Sequence, residues 1–433
     1  MLPFLAKPQT FLVKPAPGWL DLAHEEVCRI LENPLQKYKF SPVAKITANS
    51  ILVDQCDFRQ GLELVLRATL LHDVELVLHS GRVTTRAGWN DFFVKSRIQD
   101  VWPATKDLPL QLIVRVTHPV VGSEKEVRDR LKTYLVGAGI STAKVTEDQE
   151  IPAINRLRLE SEKNRTQMLL SLAGAPLYIR SYKDILTGAS APLPEHHAAA
   201  CFRWANALLD RKKENSILTG NIPVVVPFAG TGTIGFESLC QILQYAPGLF
   251  RSNYAFQRFM FHPEKTAATI ARRLHAGRTG GSPRIIFGEI DPKAFQDLKA
   301  NIAGFERRIG ELLGRDQAQG AFSCMQNDFL KDPDLLISDE REIFILLNPP
   351  YGERLAKKTG PEAIYSAIGK ILKKLGQKTK FSGLILCGNE VSWREFLGAT
   401  GPIYHKTRHF THGGMDVRAV VFSNVEKLNP REP

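Results

Sequence analysis

A chain of 433 residues, 43% hydrophobic and 24% charged, carries enough apolar material for two or three packed domains and shows no bias toward a disordered or fibrous class. Its 57 Lys and Arg against 45 Asp and Glu give a formal charge of +12, a surface that attracts polyanions by counterion release. The six cysteines (Cys28, Cys56, Cys201, Cys240, Cys324, Cys387) have no ligand spacing, and the eleven histidines no metal spacing. No apolar run approaches the roughly twenty residues of a membrane span. Pro3, Pro8, Pro15 and Pro17 interrupt any signal-like apolar region. The expectation is reduced thiols, no metal, no membrane and a cytoplasmic location.

In chain order, Thr10 to Val13 predicts a strand and Leu20 to Leu31 a helix with Asp21, Glu25 and Glu26 in its first turns, where acids suit the dipole. Ile51 to Val53 predicts a strand and Gly61 to Leu71 a second helix, together a small α+β unit over residues 1–74. Leu110 to Val116 reads as a strand and Ser123 to Leu135 as a charged amphipathic helix. Arg156 to Glu160 and Gln167 to Leu172 read as paired strands. Residues 75–180 are therefore a second α+β module, without an acid/base constellation and suited to binding. Residues 181–215 form a linker, with Ala191-Pro-Leu-Pro-Glu195 leading into an alanine-rich helix, Ala198 to Leu209.

From 216 to 433 strands alternate with helices: Pro223 to Val226, Arg284 to Gly288, Ala321 to Met325, Ile343 to Leu347, Ser382 to Cys387 and Val417 to Phe422. That alternation predicts an α/β domain with a doubly wound, mainly parallel, Rossmann-like sheet. Its first strand runs through Pro227, Phe228 and Ala229 into Gly230, Thr231, Gly232 and Thr233. Glycines there let a ligand lie against the backbone, and the following helix offers free N–H groups. No Gly-Lys-Ser/Thr follows, which argues against a phosphate loop. Glu289, at the end of the second strand, suits a ribose diol, whereas Asp291 before Pro292 reads as an N-cap. Asp328, after the third strand, suits the amino group of an adenine.

The fourth strand ends in Asn348-Pro349-Pro350-Tyr351. Two prolines stop the strand and fix φ, so their carbonyls are rigidly aimed. An exocyclic base amine is a poor nucleophile because its lone pair is delocalised. The Asn348 side-chain carbonyl and the Pro349 carbonyl can each accept one of its protons, and Tyr351 can stack on the ring. The chemistry predicted is in-line methyl transfer from a sulfonium, driven by positioning and electrostatics.

With Pro227-Phe-Ala-Gly-Thr-Gly-Thr233, Asn348-Pro-Pro-Tyr-Gly-Glu-Arg-Leu355, Ala246-Pro-Gly-Leu-Phe-Arg251 and Ile179-Arg-Ser-Tyr-Lys183 in view, the chain resembles the THUMP-containing guanine-N2 RNA methyltransferases of class I, in particular the bacterial 23S rRNA type. The resemblance implies S-adenosylmethionine as cofactor, a ferredoxin-like unit over 1–74, and a THUMP domain over 75–180 that grips RNA. It implies an acceptor that is rRNA first and tRNA second. Arg156, Arg158, Arg180 and Arg354 are the candidates for RNA contact. Val226 stands where the family usually carries Asp. Amino methylation of DNA adenine or protein glutamine is the second reading, since those families share Asn-Pro-Pro-Tyr. An RNA-binding factor without catalysis is the third.

Overall fold

A computed structural model describes residues 7–143, 155–163, 165–185, 193–209, 217–261, 263–276, 283–313, 320–334, 340–350, 360–425 and 427–429. The chain forms two compact units. One comprises residues 1–15, 23–179 and 251–274, the other residues 16–22, 180–250 and 275–433.

The first unit is built on a seven-stranded sheet. Its strands are β1 (Gln9–Pro15), β2 (Val43–Ile46), β3 (Ile51–Cys56), β4 (Leu71–Gly81), β5 (Leu110–Val116), β6 (Asn155–Glu162) and β7 (Arg165–Ser171), in the order β2-β3-β1-β4-β7-β6-β5. All neighbours are antiparallel except β5 and β6. The expected boundary between residues 74 and 75 falls inside β4. That strand pairs with β1 on one side and β7 on the other, so one sheet runs through both expected modules.

The helices are α1 (Leu20–Glu32), α2 (Phe58–Arg67), α3 (Gly88–Ser96), α4 (Glu124–Gly137) and, after an excursion of the chain, α7 (Glu264–Ala276). The second helix was expected at 61–71 and lies three to four residues earlier. Asp57 caps it in a reciprocal box with Gln60, and at its far end Ala68 is extended. There the buried Glu26 carboxylate accepts the N–H groups of Thr69 and Leu70, which releases the chain into β4. Ser123, expected as the first residue of its helix, is the N-cap of α4, its hydroxyl accepting from Glu126 N–H at 3.2 Å.

The second unit contains α5 (Glu195–Leu208), β8 (Val224–Val226), α6 (Thr233–Ile242), β9 (Ile285–Glu289), α8 (Pro292–Leu313), β10 (Phe322–Gln326) and β11 (Glu342–Leu347). It continues with α9 (Pro361–Leu375), β12 (Lys380–Cys387), α10 (Glu390–Thr400), β13 (Tyr404–His412) and β14 (Met415–Ser423). The sheet order is β10-β9-β8-β11-β12-β14-β13. The first five strands are parallel, and β14 and β13 are antiparallel additions. Parallel strands with helices on both faces must be apolar throughout, and Val224, Val225, Val226 and Ile343 to Leu347 are fully buried. Order reverses between β8 and β11, and ligands bind such sheets beyond the carboxyl ends of the strands at that crevice.

Candidate active site

The turn after β8 lies at this crevice. Ala229 N–H donates to Gly288 O at 3.0 Å and Gly230 N–H to the Glu289 carboxylate at 2.7 Å, which ties the turn to the end of β9. The other Glu289 oxygen accepts from Asp291 N–H at 3.0 Å. Glu289 is buried, and each of its oxygens keeps a further lone pair for a ligand hydroxyl. Asp291 accepts from Ala294 N–H at 2.7 Å, the N-cap bond expected of it at the start of α8.

Both loop glycines are left-handed, Gly230 at φ 53° and Gly232 at φ 91°, but for different reasons. A Cβ on Gly230 would meet nothing within 4 Å, so its face is open to a ligand. A Cβ on Gly232 would lie 2.6 Å from Phe236 and 2.8 Å from Leu298. Gly232 is therefore required by packing and backbone, a correction to the expectation that ligand contact demands both glycines. Gly232 is also the N-cap of α6 and offers no side-chain cap, so the first-turn donors of that helix are left for another acceptor.

Around the turn, Pro227, Ala229, Thr231 and Thr233 are buried. Phe228 is half-buried, with its ring edge-on to Phe329 at 5.9 Å. Asn301 of α8, fully buried, donates to Thr231 O at 3.2 Å and exchanges hydrogen bonds with the Ile185 backbone. Sequence reading missed it, although an Asn on the buried stripe of an amphipathic helix is a visible signal.

The end of β10 joins through Asn327 N–H, which donates to Glu289 O at 3.0 Å. Asp328 accepts from Leu330 N–H and pairs with the exposed Lys331 at 3.1 Å. The parallel register of Phe344 with Val224 and Ile345 with Val225 brings the end of β11 to the same edge of the sheet. Asn348 follows there. Its Oδ1 is buried without a hydrogen-bond partner among the described residues, a costly state for an acceptor unless a donor arrives. Pro349 is buried and Pro350 exposed. Tyr351 and Arg354 lie outside the described residues.

The three remaining arginines do not face solvent, and the expectation that they contact RNA is corrected. Arg156 is ion-paired with Asp73 at 3.1 Å, and Arg158 is held by Glu75 (Nε to Oε1 2.9 Å) and Glu160. Arg180, in the second unit, lies 3.5 Å from the fully buried Glu237 of α6. Burial of Asp73 and Glu75 in β4 demands these cations. Among the described residues no cluster of His, Cys, Asp or Glu could hold a metal, and no helix is long and apolar enough to cross a membrane.

The strand order, with its antiparallel seventh strand, and the ligand turn define the second unit as a class I methyltransferase fold. Residues 205–392 match the UPF0020 family model, described as an RMKL-like methyltransferase domain. Three relatives carry the name ribosomal RNA large subunit methyltransferase K/L. That of Syntrophotalea carbinolica is 27% identical over 286 residues, 65% of this chain and 36% of its own length. That of Allochromatium vinosum is 28% identical over 51% of this chain and 27% of its own. That of Chromohalobacter salexigens is 27% identical over 72% and 40%. The chain thus spans well under half the length of the curated relatives it matches.

Three solved structures share the fold along nearly the whole chain. SMU.472 complexed with SAH superposes with TM-score 0.70 at 16% identity, covering 96% of this chain and 98% of that one. A "predicted N6-adenine-specific DNA methylase" from Listeria monocytogenes str. 4b F2365 gives 0.72 at 19%, covering 97% and 98%. TrmN from Thermus thermophilus gives 0.60 at 17%, covering 96% and 99%. The chain resembles the large-subunit ribosomal RNA methyltransferases, and its C-terminal unit has the class I methyltransferase fold.

Proposed function

We propose that this chain transfers a methyl group from S-adenosylmethionine to the exocyclic N2 amino group of a guanosine in RNA, with 23S rRNA ahead of tRNA. The observation that carries the reading is the buried, partnerless Asn348 Oδ1 at the end of β11, on the sheet edge that also holds the Gly230 turn and Glu289. The residues present fit the cofactor: an open Gly230 face, a buried carboxylate one strand over, and an uncapped helix N-terminus. When bound, the cofactor supplies an electrophilic methyl group on a sulfonium.

In this reading Glu289 accepts the ribose hydroxyls and Asp328 the adenine amino group, while Pro227 to Thr233 form the floor beneath them. Asn348 Oδ1 accepts one proton of the base amine and the Pro349 carbonyl the other. Held by both, the nitrogen pyramidalises and its lone pair points along the transfer line. Pro350 keeps the turn rigid. Tyr351 gives the base a stacking face, worth about 1–3 kcal/mol. The first unit, a THUMP-like module in this reading, grips the RNA, in keeping with the +12 charge of the chain.

The test is to incubate the protein with methyl-labelled cofactor and, separately, rRNA, tRNA, DNA and protein, then digest to nucleosides or amino acids. Label in N2-methylguanosine from rRNA is expected. Label in N6-methyladenine of DNA or in methylglutamine, with none in RNA, would overturn the acceptor.

A further inference from the structure

Lys183 is a buried cation (6% exposed) that neither the strand ends nor the glycine turn account for. Its ammonium lies 2.7 Å from Glu195 Oε1, at the start of α5, and donates to Thr233 Oγ1 at 3.0 Å. Thr233 is the first residue of α6, immediately after the uncapped Gly232. Two of the three ammonium protons are thus engaged, and the third has no acceptor among the described residues. The same holds for the Thr233 hydroxyl proton, because that oxygen serves only as acceptor to Lys183. Phe236 N–H is the first of α6 to reach back, to Gly232 O at 3.0 Å, so the N–H groups ahead of it are free as well. The beginning of α6 therefore gathers several donors and a fixed positive charge around a place with no acceptor.

We propose that Lys183 anchors the anionic end of the cofactor, the carboxylate of its amino-acid moiety, at the start of α6. The Thr233 hydroxyl, oriented by Lys183, and the first-turn N–H groups complete the cradle, and Glu195 holds the ammonium in place. This assignment rests on the cofactor reading above and goes beyond it by naming the residue that discriminates for the amino-acid end.

The test is a pair of ligands measured by calorimetry on the full chain: S-adenosylhomocysteine, which has the carboxylate, and methylthioadenosine, which lacks the amino-acid moiety. Lys183→Met should weaken the first about 10- to 100-fold, the range of a charge-assisted bond, and leave the second within about twofold. Lys183→Arg should recover most of the loss. Because Lys183→Met strands the Glu195 carboxylate, the Lys183→Met/Glu195→Gln pair is measured beside it, with thermal melts. The same ligand-selective loss in a pair that melts like wild type supports the assignment. Equal loss of both ligands, or no loss of the first, overturns it. A wild-type chain that binds neither ligand overturns the cofactor reading itself, an outcome distinct from a variant that binds as wild type does.

Discussion

The Glu289 carboxylate receives the Gly230 N–H at 2.7 Å, so the residue expected to hold the ribose also holds the turn that faces the ligand. One side chain does both because β8 and β9 are parallel neighbours and their ends emerge side by side. Glu289→Ala should therefore weaken S-adenosylhomocysteine by about 10- to 100-fold, since it removes an ionised acceptor from the diol and loosens the turn at once. Glu289→Gln keeps one acceptor and should lose less. Calorimetric affinities check this, and equal affinity for wild type and Glu289→Ala would move the ribose role elsewhere.

Asn348 separates binding from chemistry. Its Oδ1 bonds to nothing among the described residues, so removing it leaves no broken internal contact. Asn348→Ala should bind S-adenosylhomocysteine like wild type while kcat falls about 10²- to 10³-fold, the loss typical of one preorganised polar group. Single-turnover rates beside affinities decide the matter. A variant whose turnover is unchanged removes Asn348 from the mechanism.

Gly230 and Gly232 should respond oppositely to the same methyl group. Gly230→Ala adds a Cβ into open space at φ 53°, at a cost of about 1–2 kcal/mol in backbone strain, but places that Cβ where the ligand lies. Its main effect should be on affinity. Gly232→Ala adds strain at φ 91° to a clash with Phe236 and Leu298, and its main effect should be a melting temperature lowered by several degrees. Melts and affinities measured on both variants check the split, and a loss of affinity confined to Gly232→Ala would reverse the assignment.

How much of this was legible in the sequence depends on how each strand is buried. β8, β9 and β11 are covered on both faces, so Val224 to Val226 and Ile343 to Leu347 stand out as apolar runs, and the ligand turns follow directly from them. β4 was hidden because Asp73 and Glu75 break its apolar pattern. They are tolerated inside because Arg156 and Arg158 reach them from β6, 83 residues away, a pairing invisible to local reading. The same pairs turned two supposed RNA contacts into internal ones. β13 was missed because it is an edge strand exposed at most positions, with Phe410 as its one buried residue. Lys183 was read only as part of a motif, since its meaning lies in Thr233 and Glu195, which the fold brings to it.

Glu237 gives the second unit a pH signature. It is fully buried on α6, accepts from the Tyr182 hydroxyl at 2.8 Å and lies 3.5 Å from Arg180. Burial pushes its carboxyl up to about 7, against the opposing pull of the Arg180 guanidinium, whereas the unfolded chain titrates it near 4.5. Between those two values the folded protein holds a proton that the unfolded chain has released. The contribution of this group to stability is therefore complete below about pH 4.5 and is lost as pH rises through about 7. Glu237→Gln keeps the neutral shape and does not titrate. Relative to that variant, wild type should lose stability from pH 5 to pH 8, by at most on the order of 3 kcal/mol. Thermal unfolding of the two proteins across that range measures the difference. If the gap between them stays constant, or shifts toward wild type as pH rises, Glu237 is ionised throughout and pairs with Arg180 as a salt bridge.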